Sequence, residues 1–213
     1  VRLVLLGDFV DRGPESAACV RYAREIGTEA VRGNHDDAML TWRRYSAAKQ
    51  KGPLDERRKQ WAALSDEDVA WVASLWTVID LGPGYLGVHA GFEDVPMARQ
   101  KDARVMRCRY VDEINGRMVQ PNADLSQPPR TVYWTERWRG PDHVVYGHAV
   151  HSLTTPRVDE TDGVRCYGID TGCCYGGRLT ALVLDPSKVE PEVVQVSARA
   201  IYSEVPKTLG DHG

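Results

Sequence analysis

Four short polar clusters, each set directly after an apolar, strand-like stretch, constrain this chain more than any other feature. They are Gly7-Asp8-Phe9-Val10-Asp11-Arg12-Gly13 after residues 1–6, Gly33-Asn34-His35-Asp36 after a short run from Ala30, His89-Ala90-Gly91 after 85–88, and Gly147-His148 after 143–146. In open α/β sheets ligands gather at the carboxyl ends of strands, so the spacing predicts that all four clusters meet in one crevice. Asp, Asn and His are hard-to-borderline donors that suit Mn²⁺, Fe²⁺ or Zn²⁺. Glycines beside them let the backbone turn sharply and approach a cation or a phosphate closely.

The intervening segments read as an alternating α/β chain. The first strand, 1–6, is apolar enough to be central. Pro14 suits the first position of a helix and Glu15 its positive end, while Val20, Ala23 and Ile26 form an apolar stripe that Gly27 terminates. Residues 37–76 read as helical, broken at Lys51-Gly52-Pro53, with Met39, Trp42 and Tyr45 on one face. Ser65 and Asp68 resemble a capping box for a helix carrying Val69, Val72 and Trp76. This stretch is expected to be a helical cover, its Met and Trp residues in the core and 55–59 on a solvated face.

From Val78 the pattern turns to strands. Gly82-Pro83-Gly84 and Asn115-Gly116 each predict a hairpin. Further strands are expected at 131–134, 143–146, 164–169, 179–184 and 193–202. The expected organisation is one domain over 1–203 and a C-terminal tail over 204–213.

Composition narrows the function classes. A net charge of −3 over 213 residues offers no electrostatic footprint for a nucleic-acid duplex. No apolar run approaches the roughly 20 residues that span a bilayer, so no membrane partner is expected. Five cysteines, odd in number and without a C-x-x-C pair, argue against a disulfide framework and point to a reducing cytoplasm.

The clusters fit metal-assisted phosphoester hydrolysis. Divalent cations neutralise phosphoryl oxygens, acidify a bound water and fix in-line attack. His35 is suited to protonate the leaving oxygen, with Asp11 orienting its ring and favouring the charged form. Arg12 supplies a forked donor for phosphate oxygens.

The ordered set G-D-F-V-D-R-G-P, R-G-N-H-D, H-A-G and Y-G-H closely resembles the calcineurin-like metallophosphoesterases, and within them the PPP-type serine/threonine phosphatases and the symmetrical dinucleoside-tetraphosphatases. The resemblance spans about residues 1–184. It implies an α/β/β/α four-layer sandwich of two mixed sheets, with two divalent metal ions (Mn, or Fe or Zn) activating a water. Carried over, Asp8 becomes a bridging metal ligand, with Asn34, His89 and His148 completing one metal's shell. His35 becomes the leaving-group acid paired with Asp11, Arg12 a phosphate ligand, Arg137 (or Arg139) a second one, and Tyr175 a residue lining the site.

The family also carries an Asp-x-His-Gly element, on a strand and helix before the strand at Val1, whose Asp and His bind the first metal. It is absent from these residues, which retain ligands for about one metal. The expectation is a sequence truncated at its front; the rival is a non-catalytic phosphate-binding module. His151, three residues after His148, departs from the spacing of a ligand seen in the wider superfamily and is expected to face solvent or to support the site from behind.

Two substrates compete. Asp8-x-x-Asp11-Arg12-Gly13 leans toward phosphorylated protein, which is the main expectation. Asp170-Thr171-Gly172-Cys173-Cys174-Tyr175-Gly176-Gly177 leans toward dinucleoside polyphosphates.

Overall fold

The computed structural model describes residues 1–205. Of the expected tail, 206–213 lie outside the described residues. In chain order the elements are β1 (Val4–Leu5), α1 (Ser16–Glu25), β2 (Glu29–Ala30), α2 (Asn34–Tyr45), α3 (Glu56–Ala62), α4 (Asp66–Ser74), β3 (Val78–Gly82), β4 (Tyr85–Val88) and α5 (Asp102–Val105). There follow β5 (Tyr110–Asp112), β6 (Met118–Val119), β7 (Thr131–Tyr133), β8 (His143–Tyr146), β9 (Arg157–Thr161), β10 (Val164–Gly168), β11 (Arg178–Val183) and β12 (Glu192–Ser197).

The expected mixed α/β architecture holds. Its largest sheet has five strands in the order β3-β4-β8-β10-β9, and the remaining strands form β1-β2, β11-β12 and β6-β5-β7. Within the large sheet β4, β8 and β10 run parallel, flanked by the antiparallel β3 and β9. Parallel pairing brings strand ends of the same polarity together, and the register does so closely: Val88 pairs with Tyr146, and Tyr146 with Gly168. His89, Gly147-His148 and Ile169-Asp170 therefore leave the sheet at one edge. The parallel pair β1-β2, with Leu5 beside Ala30, delivers the loops bearing Asp8 and Asn34 in the same way.

Two apolar cores lie behind the loops. Phe92, Trp134, Trp138, Tyr133 and Tyr146 pack around β4, β8 and β10. Val20, Met39, Trp42, Trp61 and Val72 join α1, α2, α3 and α4, as expected for a helical cover. Ser65 and Asp68 make the anticipated reciprocal cap at α4.

Some local expectations shift. The first strand shortens to Val4–Leu5, and Val1, Arg2 and Leu3 are exposed. Among the described residues β1 is bonded only to β2, so it is not central. Ile26, Tyr45 and Trp76 are exposed rather than core. Trp76 lies past the end of α4, so the helical spacing that aligned it with Val72 does not reach it. No helix among the described residues is long and apolar enough to cross a membrane.

Candidate active site

Asp8 is the hub of the crevice. Its backbone sits in the left-handed region at φ 60°, and Asp11, Arg12 and His148 share that conformation at φ 76°, 63° and 67°. Non-glycine residues held there cost about 1–3 kcal/mol each, so the loops are tightly determined by their surroundings. The chief determinant is Asp36, fully buried, whose carboxylate accepts the N–H groups of Asp8, Phe9 and Gly33 at 2.8, 2.9 and 2.9 Å. Burial and the negative charge of Asp8 push the Asp36 carboxyl up to about 6, while the backbone donors pull it down.

Glycine is demanded at Gly33, where a Cβ would stand 2.1 Å from Asp8 Oδ1. Its absence lets the two loops touch. Asp8 Oδ1 then accepts the N–H of His35 at 3.0 Å, and Asp8 Oδ2 is left facing His89 Nε2 at 3.3 Å.

The histidines are presented by the large sheet. His89 Nδ1 donates to the Leu6 carbonyl at 2.7 Å, which leaves Nε2 as the free ligand nitrogen. Asn34 Oδ1 lies 3.2 Å from that nitrogen, and the His148 ring meets the His89 ring edge-on at 5.2 Å. Ligand atoms of Asp8, His89 and His148 all lie within 4.8 Å of one another. Donors around one cation at about 2.1 Å can be at most about 4.2 Å apart, so these close on an ion with a small inward shift.

The electrostatics prepare Asp8 and His148 for a cation, whereas at His89 burial is outweighed by the Asp8 charge, which raises the imidazole, so a cation there displaces a proton. Burial opposes ionising Asp8, yet His89, His35 and His148 overcome it and hold the carboxyl well below its usual range. Burial, with His89 and Arg109 nearby, keeps His148 neutral, the form in which imidazole binds a metal. One carboxylate, one amide oxygen and two imidazoles thus fit a borderline divalent ion. All four residues named as ligands from sequence converge.

Beside this cluster lie His35 and Asp11. His35 Nδ1 is 2.5 Å from Asp11 Oδ2, and its Nε2 is 3.9 Å from Asp8 Oδ2 and 3.4 Å from Arg12 Nη2. The Arg12 guanidinium also lies over the Tyr175 ring, 5.4 Å from its centre. These expected residues assemble as read from sequence.

Arg137 and Arg139 do not. Arg137 Nη2 donates to the Glu113 carbonyl at 2.9 Å, and it lines a separate cavity with Phe92 and Trp138. Arg139 donates to the Glu136 carbonyl and pairs with Asp162 at 3.0 Å. The arginine near the cluster is Arg109, whose Nε is buried without a partner and whose charge bears on both His148 and His151. No strand-end motif marks it in the sequence. His151 is half-buried, its Nε2 2.9 Å from Tyr133 Oη in the core behind the loops. Two more residues near the cluster are not among the site residues named from the sequence, although Asp170 belongs to the motif that leans toward dinucleoside polyphosphates. Asp170, after β10, feels the charges of Arg12, His89 and Asp8, and Asp170-Thr171-Gly172 is a fifth polar strand end. Arg57 reaches Asp11 from α3.

The family model for calcineurin-like phosphoesterases matches residues 2–163. The chain belongs to that family. A symmetrical bis(5'-nucleosyl)-tetraphosphatase of Methylococcus capsulatus is 30% identical over an alignment covering 86% of this phosphoesterase and 81% of the relative. Serine/threonine-protein phosphatase 1 of Salmonella typhimurium is 27% identical, covering 84% and 76% respectively. A crystal structure provisionally named a diadenosine tetraphosphatase superposes with a TM-score of 0.70 at 25% identity, covering 92% of this chain and 80% of that one. The sandwich fold expected from the motifs is thus the fold of this phosphoesterase.

Proposed function

We propose that this phosphoesterase hydrolyses dinucleoside polyphosphates. The observation that carries the reading is the stacking of Arg12 on Tyr175 beside His35, which sets a phosphate donor and an aromatic face next to the acid. The names of the Methylococcus relative and of the superposed structure point the same way. The Salmonella relative and the Asp8-to-Gly13 loop favour the second reading, a phosphoprotein phosphatase, toward which the sequence alone leans.

Asp8, Asn34, His89 and His148 would hold a divalent cation, which we take to be Mn²⁺. Such an ion supplies charge neutralisation at phosphorus and acidifies a water at neutral pH. Arg12 and Arg109 would bind the phosphate oxygens, Arg109 replacing Arg137 in the role expected from sequence. Asp11 holds the His35 ring through Nδ1, which leaves Nε2 turned toward Arg12 and Asp8. His35 Nε2 would then release its proton to the departing oxygen. All five cysteines are free, which suits the reducing cytoplasm where we place the protein.

The test is product identity. With Mn²⁺, the full chain should convert diadenosine tetraphosphate to mononucleotides resolved by chromatography. Phosphate release from a phosphoserine peptide with no cleavage of the dinucleotide would overturn this reading in favour of the second. Binding of both ligands without turnover at any Mn²⁺ concentration would overturn both enzymatic readings.

A further inference from the structure

Helix α3 is a surface element of the cover, yet two of its side chains end on the carboxylate of Asp11. Trp61 Nε1 donates to Oδ1 at 2.7 Å. Arg57 donates from Nε to Oδ2 at 2.8 Å, and its Nη2 lies 2.5 Å from the same oxygen. The two residues are four apart, hence neighbours on one helix face, and the Arg57 guanidinium stacks over the Trp61 ring at 4.5 Å. Trp61 is buried and in turn packs against Trp42 at 5.8 Å between ring centres.

The carboxylate therefore has a partner on each oxygen besides His35. That arrangement leaves it one orientation, with Oδ2 aimed at His35 Nδ1. A carboxylate beside an imidazole can rotate about its own axis or swing away with its loop, and Asp11 sits in a strained left-handed loop. Without α3, the carboxylate side chain would be held by His35 alone. Arg57 Nη2 is also 3.4 Å from His35 Nδ1, opposite Arg12 Nη2 at 3.4 Å from Nε2. One guanidinium thus stands near each ring nitrogen of His35.

We propose that Arg57 is a positioning residue for proton transfer: it orients Asp11 so that His35 Nε2 points at the departing oxygen. This rests on the reading of His35 as the acid. The proton on Nε2 passes to that oxygen as its bond to phosphorus breaks, and Arg57 touches neither reacting atom. Partners of this kind are typically worth 10- to 100-fold.

A positioning role makes a demand that a structural role does not. A departing phenolate needs the proton, whereas a departing nitrophenolate, a far weaker base, leaves without much help. The full chain with Mn²⁺ is assayed on phenyl phosphate and p-nitrophenyl phosphate as wild type, Arg57→Ala, Arg57→Lys and His35→Ala. Arg57→Ala should lower kcat on phenyl phosphate by roughly tenfold or more, with a much smaller loss on the nitrophenyl ester. Arg57→Lys, which keeps a donor and a charge, should recover part of the difference. His35→Ala should show the same split, larger.

In the metal-free protein, proton NMR should show a low-field His35 Nδ1–H resonance that is absent in His35→Ala. It should be broadened away in Arg57→Ala and retained in Arg57→Lys. Equal losses on both esters for Arg57→Ala, with an unchanged resonance, would overturn the role of Arg57 alone. If His35→Ala itself shows no split, the acid assignment falls and takes this proposal with it.

Discussion

Asp36 Oδ2 accepts the backbone N–H of Asp8 at 2.8 Å, so a carboxylate with no exposed surface sets the position of the one that faces the cation site. The same Oδ2 also accepts from Gly33, and Oδ1 accepts from Phe9. Replacing Asp36 with Asn points an amide N–H₂ group at backbone donors on one side. The buried mismatch should cost about 2–4 kcal/mol in unfolding free energy by urea denaturation. An Asn variant as stable as wild type would mean that the loops are held by something else.

Gly33 is where a methyl group would meet the Asp8 carboxylate. Its Cβ would approach Asp8 Oδ1 to 2.1 Å and Asp8 N to 2.5 Å, and that N–H is tied to the buried Asp36 carboxylate at 2.8 Å. Gly33→Ala should therefore displace Asp8 and weaken Mn²⁺ binding, followed by titration calorimetry, by roughly 10- to 100-fold. The circular dichroism should stay close to native, because β1-β2 pairing and α2 beyond its cap at Gly33 do not depend on that contact. Unchanged affinity would show that Asp8 is not a ligand.

Much of this site was legible because its residues follow apolar strands in the sequence, and strand ends are what an α/β sheet gathers. What the chain does not spell out is register. Nothing local says that β8 lies between β4 and β10, and that neighbourhood alone brings His89, His148 and Asp170 together. The edge strand β9, Arg157–Thr161, escaped notice because its side chains are mostly polar, although Asp162-Gly163 is a hairpin turn with both residues at positive φ. Arg57 lies within a charged run that reads as solvated helix, and only the tertiary position of α3 turns it toward Asp11. Arg109 follows the short α5 and has no motif around it; its closeness to His148 is a product of packing.

His151 predicts a pH dependence of stability. Burial, with Arg157 and Arg109 nearby, lowers its imidazole to about 4, while the unfolded chain binds the proton near 6.5. Between those values the unfolded state holds more protons, so stability rises with pH. The contribution is complete above about pH 6.5 and is lost as pH falls toward 4. It amounts to about 1–3 kcal/mol. His151→Gln, which can still donate to Tyr133 Oη and accept from Arg157, should flatten this part of the curve in denaturation experiments at pH 7 and pH 4.5. Parallel curves for the two proteins would remove His151 from the account.

Arg109 and Arg137 make opposite predictions for substrate binding. Arg109 has no carboxylate partner among the ion pairs of the described residues and its charge reaches His148, so a phosphate oxygen that met its guanidinium would gain a charge-assisted hydrogen bond worth about 1.5–3 kcal/mol. Arg137 already donates to Glu113 and faces a different cavity. Arg109→Ala should thus raise KM for the dinucleotide, or the inhibition constant of inorganic phosphate, by roughly 10- to 100-fold, while Arg137→Ala changes either by less than about threefold. Because phosphate inhibition reads ground-state binding of the group itself, it separates a lost ligand from a disturbed acid. The reverse ranking would restore the assignment drawn from the sequence and leave Arg109 without a function in this site.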